Sequence, residues 1–159
     1  MIRDFIARHR PGNLGRTVLI APPNHGIKAV DQVKDWKLFV GIFGEPARLL
    51  GTAQDALASR LGPADFPLGV IMGRDVGLPV VSQMLPGADD GVVAVESGKL
   101  KGMDDFTTVR CGHTGLPSNR TVLAQTVAFL REGSFDEAVA KDENRMKRGR
   151  SAGGRVGGK

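Results

Sequence analysis

Leu68-Gly69-Val70-Ile71-Met72-Gly73 is the stretch of this 159-residue chain that decides its fold. None of the six residues carries a charged or hydrogen-bonding side chain. A short, continuous apolar run of this kind is typical of a strand buried on both faces of a parallel sheet. Two further runs rich in β-branched residues, at 17–21 and 106–109, have the length of strands. The sequence therefore predicts a sheet of about three parallel strands.

Helical patterns alternate with these strands, which favours the α/β class with right-handed crossover connections. Residues 2–9 carry apolar side chains at helical spacing, and residues 121–130 predict a final helix that Asn119 caps. The residues expected on the inner side of that final helix are Val122, Leu123, Thr126, Val127, Phe129 and Leu130.

Residues 27–67 form a third segment with helical patterning, inserted between the first two strands and interrupted by Gly44 and Gly51. Two interpretations of this insertion stay open. It is either a lid that turns apolar side chains toward an acyl group or a helical insertion packed on the body. The side chains that would face the acyl group are Trp36, Leu38 and Phe39.

The net charge of +5 arises entirely in the last segment of the chain. Residues 141–159 contain seven basic and two acidic residues, and residues 1–140 contain 15 of each. The balanced body has no net field to steer a polyanion, so we expect no specific nucleic-acid partner. The Gly-, Arg- and Lys-rich composition of 141–159 predicts a disordered basic tail.

The single cysteine, Cys111, excludes an internal disulfide bond and leaves the redox compartment open. Arg3 and Asp4 interrupt the start of the chain, so no secretory signal is predicted. No stretch approaches the roughly 18 apolar residues that a membrane span needs. We therefore expect no membrane span and a cytoplasmic location.

An acid and a histidine each follow a predicted strand. Asp90 stands in the turn Asp89-Asp90-Gly91, and His113 stands between Gly112 and Thr114-Gly115. With one strand between them, neighbouring strand ends can bring the two side chains together. An acid followed by a histidine is also the second part of the order Ser…Asp…His found in one class of hydrolases. Asp89 is the rival acid, and an ordinary turn with a loop histidine is the alternative interpretation.

Other chemistry is less well supported by the residues. Cys111 could serve as a thiol nucleophile, although a cysteine at the end of an apolar strand more often packs as a small hydrophobe. His25, His113 and the acids do not have the short-range spacing that zinc sites favour. We expect neither a metal nor another cofactor, and we interpret His25 as a structural residue of its turn.

The run Val18-Leu19-Ile20-Ala21-Pro22-Pro23-Asn24-His25-Gly26 resembles a strand and turn of bacterial lipases and esterases with the α/β-hydrolase fold. The likeness continues through the Leu68 strand, the Asp89-Asp90 turn, the segment leading to His113 and the final helix, over about residues 1–135. It implies that Asp90 matches the triad acid and His113 the triad base. It also implies that residues 1–140 are the C-terminal half of an incomplete α/β-hydrolase domain.

The chain departs from this family in two places. Ile27 stands where many relatives have serine, and no Gly-x-Ser-x-Gly elbow lies upstream of Asp90. In relatives the helix resembling residues 2–9 follows the elbow directly, so we interpret Met1 as an internal start or a truncated gene model.

The resemblance implies a C-terminal part of a carboxylic ester hydrolase, acting on a small-molecule or lipid ester and lacking its serine. The alternative is a non-catalytic fragment or pseudoenzyme that acts as a binding module. Both the hydrolase and the binding-module interpretation are compatible with self-association through an exposed sheet edge, because three predicted strands are few for a sheet buried on both faces.

Deleting residues 141–159 should change the free energy of unfolding by no more than about 0.5 kcal/mol, the range of ordinary surface changes. Urea unfolding of the full chain and the shortened chain measures this difference. A substantially larger loss would mean that the tail packs on the body.

Overall fold

A computed structural model of the chain describes residues 2–24, 61–74 and 87–139. The described elements are helix α1 (Ile2–Arg8), strand β1 (Thr17–Ile20), strand β2 (Leu68–Gly73), helix α2 (Val95–Gly98), strand β3 (Asp105–Val109), a 3₁₀ helix (His113–Ser118) and helix α3 (Arg120–Glu132). The chain is thus of the α/β class, with helices flanking a small parallel sheet.

The sheet has the order β1-β2-β3, and both neighbouring pairs run parallel. Thr17 is opposite Leu68 at the start of the first pair, and Gly73 is opposite Val109 at the end of the second. Because all three strands point the same way, their carboxyl ends share one edge. The loops that follow β2 and β3 therefore start side by side, which lets residues distant in sequence meet there.

Strand β2 is the centre of the core, and all six of its residues are buried. The two faces of β2 meet different helices. Gly69 lies against the ring of Phe129 in α3, and Met72 lies against Gly98 in α2. The prediction of a strand buried on both faces is confirmed.

Helix α3 is closed at both ends by local hydrogen bonds. Asn119 Oδ1 accepts from the backbone N–H groups of Thr121 and Val122, at 2.8 and 3.2 Å. At the other end Gly133, with φ 84°, donates its N–H to the Phe129 carbonyl oxygen at 2.8 Å. The predicted Asn119 cap is confirmed, and the left-handed residue after the helix is a glycine for steric reasons.

The prediction of which residues form the inner side of α3 is wrong in part. Leu123, Val127 and Leu130 are 45–50% exposed. Instead, Gln125 is buried beside Val122 and Phe129. Its amide exchanges two 2.8 Å hydrogen bonds with the Asp136 backbone, so it is buried with its polar atoms satisfied. The apolar stripe is wider than the face that the three-stranded sheet covers.

Several sequence predictions fall on residues outside the described ranges. They concern most of the insertion, with Trp36, Leu38 and Phe39, together with His25 and the 141–159 tail. The last part of the proposed insertion, residues 61–67, contains neither a helix nor a strand. Within the described ranges, no helix is long and apolar enough to cross a membrane.

Replacing Asn119 by Ala should lower the free energy of unfolding by about 1 kcal/mol, the usual value of an N-cap side chain. Two backbone donors of α3 lose their acceptor in this variant. Chemical denaturation measures the loss, with Thr114→Ala, an exposed position in the 3₁₀ helix, as the control. Equal stability of Asn119→Ala and wild type would show that water replaces the cap.

Candidate functional site

Two loops meet at the carboxyl edge of the sheet and carry the candidate acid and base. The segment after β2 ends in the turn that holds Asp90, and the segment after β3 leads in four residues to His113. The Val109 carbonyl oxygen accepts from the N–H groups of Arg74 and Cys111, at 3.0 and 2.9 Å. This shared acceptor fastens the starts of the two loops to each other.

The side chains of Asp90 and His113 are in direct contact. Oδ2 of Asp90 lies 2.8 Å from Nδ1 of His113. A backbone hydrogen bond of 3.0 Å, from the His113 N–H to the Asp90 carbonyl oxygen, joins the same two residues. The predicted contact is present, whereas a catalytic role for the pair stays a prediction.

The other carboxylate oxygen fixes the acid in place. Oδ1 of Asp90 accepts from the backbone N–H groups of Val92 and Val93, at 3.0 and 2.8 Å. The Asp90 side chain is completely buried. With Oδ1 held by the turn that follows it, Oδ2 can only face the histidine.

Asp89, the rival acid, has a different position. Its Oδ1 accepts the Gly91 N–H at 2.7 Å, and its backbone forms an isolated bridge with Ala94. Asp89 therefore closes its own turn, and Asp90 is the acid that contacts His113.

The geometry defines the chemistry open to His113. An ionised carboxylate only accepts hydrogen bonds, so Asp90 requires the proton on Nδ1 and leaves the lone pair on Nε2. The His113 side chain is 31% exposed, and no described residue bonds to its Nε2. A partly exposed histidine that a buried acid holds in this tautomer can accept a proton from a nucleophile at Nε2 and return it to a leaving group.

A buried polar network supports the turn that follows β1 at the same edge. Arg3 of α1 donates to Asn24 Oδ1 at 3.2 Å and to the Gly62 carbonyl oxygen at 2.6 Å. Asn24 Nδ2 donates in turn to the Gly98 carbonyl oxygen at 2.8 Å. Burial lowers the pKa of the Arg3 guanidinium from its usual value. The network ties α1 and α2 to this turn, and neither Arg3 nor Asn24 was among the predicted site residues.

Cys111 and a metal centre are the other chemistries that the sequence raises for this edge. The thiol is free and half-buried, and it packs at the margin of the core beside Gly115. No group of three metal-ligating side chains occurs in residues 2–24, 61–74 and 87–139.

One serine of the chain stands between correctly spaced glycines, in Gly149-Arg150-Ser151-Ala152-Gly153. This pentapeptide follows His113 in the basic tail, and no apolar run precedes it in the sequence, so the sequence there lacks the pattern of a nucleophile elbow. It also lies outside the described residues.

Comparison with family models, with curated proteins and with solved structures finds no match to this chain. The resemblance to α/β hydrolases therefore rests on the residues of the sequence alone.

Replacing Asp90 by Asn should change the tautomer of His113. The two backbone donors hold the amide oxygen at the Oδ1 position, which turns the NH₂ group toward Nδ1. That nitrogen must then accept, and the proton moves to Nε2. Long-range ¹H–¹⁵N NMR of the imidazole identifies the protonated nitrogen. Asp89→Asn is the matched control and should leave the wild-type tautomer, and an unchanged tautomer in Asp90→Asn would contradict the assigned hydrogen bond.

Proposed function

We propose that this chain carries the acid and the base of a carboxylic ester hydrolase of the α/β-hydrolase type. The observation that carries the proposal is the 2.8 Å contact of fully buried Asp90 with partly exposed His113 at the carboxyl edge of a parallel sheet. This edge is where parallel α/β sheets bind ligands. The chain order of acid before histidine agrees with this class.

In the proposed reaction a serine hydroxyl attacks the ester carbonyl carbon. His113 Nε2 takes the hydroxyl proton as the bond forms and then donates it to the departing alkoxide. Asp90 holds the ring and stabilises the imidazolium. A second cycle with water in place of serine releases the acid. The substrate class is a small-molecule or lipid ester, and the serine elbow comes from a segment that pairs beside β1.

The 159-residue chain should hydrolyse short p-nitrophenyl esters no faster than the uncatalysed background. Its sequence has no serine elbow upstream of Asp90, and Ser151 lacks the context of one. Turnover that His113→Ala abolishes would place a nucleophile within this chain. Ser151→Ala and Cys111→Ala would then identify it.

A fusion in which a strand and a Gly-x-Ser-x-Gly segment are added upstream of this chain should hydrolyse these esters and react with a fluorophosphonate. Asp90→Asn should lower its kcat by about 10⁴, the cost of the wrong tautomer in serine hydrolases. Asp89→Asn is the matched control and should keep most of the activity. Full activity of Asp90→Asn or of His113→Ala would overturn the proposed function.

A second candidate function is a non-catalytic binding module, and one structural feature favours it. The Thr17 N–H donates to Pro67, just before β2, and the Ala21 N–H donates to Ile71 in β2. By the alternation of a parallel ladder, Val18 and Ile20 therefore direct their backbone groups away from β2. No described strand pairs on that side. Helix α3 packs on β1 and exposes the apolar side chains of Leu123, Val127 and Leu130. An open strand edge beside apolar side chains suits pairing with another strand.

Replacing Ile20 by Lys should weaken self-association through this edge, because a lysine on an edge strand opposes strand pairing. Ile20 is 38% exposed, so the substitution costs the core little. Sedimentation velocity over a range of concentrations measures the oligomer fraction. The control is Thr114→Lys, which adds the same charge at an exposed position away from the edge. A strictly monomeric wild-type chain would argue against self-association.

A further inference from the structure

Gly73 is the last residue of β2, and it lies against Asp90 and Cys111, one from each of the two segments of the candidate site. It is buried and stands opposite Val109, the last residue of β3. It was not among the residues that the sequence singled out, although a glycine that ends a buried strand indicates a close approach of neighbouring backbone.

A side chain at position 73 would collide with both loops. An added Cβ would overlap the Cys111 carbonyl oxygen and lie 2.7 Å from Asp90 Cβ. It would also lie 3.2 Å from a methyl group of Leu116 in the 3₁₀ helix. The first obstacle is a backbone atom, so no change of rotamer relieves it. One of the two loops would have to move.

The relative position of the two segments determines whether Asp90 and His113 can form their hydrogen bond. Cys111 is two residues before His113, and Asp90 is the acid itself. Their relative position is set by the 2.8 Å side-chain contact and the 3.0 Å backbone hydrogen bond between Asp90 and His113. A Cβ at position 73 would lie closer than 3.0 Å to both segments, so one of them must shift to clear it, and that shift would lengthen or tilt both hydrogen bonds, which weaken steeply with angle.

We propose that Gly73 is a positioning residue that lets Asp90 and His113 approach to hydrogen-bonding distance. It acts by leaving space for the Cys111 carbonyl group and for the Asp90 side chain, and it touches neither substrate nor nucleophile. This inference rests on the proposed function for its catalytic meaning, but its structural content can be tested on the chain without substrate.

Gly69 supplies the matched control. It lies four residues earlier on the same strand, is equally buried, and an added Cβ there would lie 2.7 to 2.9 Å from ring atoms of Phe129 and Phe135. Gly69→Ala therefore strains the same strand near its other end. Both variants should lose stability, and only Gly73→Ala should disturb the histidine.

The test is imidazole NMR on the full chain and on the two variants. Wild type and Gly69→Ala should both show His113 protonated on Nδ1, with that proton shifted to low field by its bond to the carboxylate. Gly73→Ala should lose the low-field signal and show a mixture of tautomers. A wild-type signal in folded Gly73→Ala would overturn the proposal, and so would loss of the signal in both variants.

A rescue variant covers the case in which Gly73→Ala does not fold. Asp90→Gly removes the Asp90 Cβ and with it one of the two severe overlaps. In urea unfolding, Gly73→Ala should therefore cost less in an Asp90→Gly background than in wild type, a coupling that double-variant comparison isolates, or it should fold only in that background. An equal cost in both backgrounds would contradict the proposed contact.

The effect on catalysis is measured separately, as kcat and KM, in the fusion that carries an added upstream serine segment. Gly73→Ala should lower kcat by about 100-fold with little change in KM, the effect of misplacing a catalytic group by about 1 Å. Gly69→Ala should keep kcat at a temperature where it is folded. A protein without ester hydrolysis but with the expected NMR result would refute the proposed function and leave the positioning role intact. Ester hydrolysis by the fusion, together with a wild-type histidine signal in folded Gly73→Ala, would refute the positioning role alone.

Discussion

The burial of β2 between two parallel neighbours and two helices is the constraint on which the other elements depend. All six of its residues are buried. This burial is possible because its backbone groups are hydrogen-bonded to a neighbouring strand on each side and both of its faces are covered. Parallel pairing then forces the ends of β2 and β3 to the same edge. The site depends on this pairing, since the segments that follow β2 and β3 begin side by side.

Backbone hydrogen bonds, as well as side-chain contacts, hold the segments after β2 and β3 together at that edge. The Val109 carbonyl oxygen holds both loop starts, and the Asp90 carbonyl oxygen holds the His113 N–H. Turn N–H groups orient the carboxylate. Such contacts have little conformational freedom to lose, because the backbone atoms are already fixed by the sheet. An acid and a histidine on independent flexible loops would need more favourable energy to reach the same geometry.

The part of the molecule around β1 contrasts with this closed edge. Three of the four β1 residues are only partly buried and the fourth is exposed, and α3 leaves an apolar stripe uncovered beside it. No described strand pairs on the outer side of β1, and an exposed apolar stripe together with an unpaired strand edge is characteristic of surfaces that are covered in an assembly. The same feature is required by a hydrolase site that obtains its serine from a neighbouring strand and by a binding module, so it supports both proposed functions.

The sequence by itself determined the elements that are encoded locally. The three strands, the α/β class and the Asn119 cap follow from runs of apolar residues and from one side chain that accepts backbone hydrogen bonds. It also indicated Asp90 and His113, because each follows a strand. Their actual contact depends on which strands are neighbours and in what register, and neither property is encoded in any local segment.

Tertiary structure alone decided the other features. The sequence favoured Asp90 over Asp89, but the turn hydrogen bonds that hold each carboxylate are visible only in the folded chain. The exposed stripe of α3 has the same periodicity as a buried one, so only the width of the covering sheet could show that Leu123, Val127 and Leu130 are in water. The role of Gly73 is equally invisible in sequence, because it consists of space needed by residues 17 and 38 positions further along the chain. Periodicity reports the local conformation of a segment, and only the packed chain determines what lies against it.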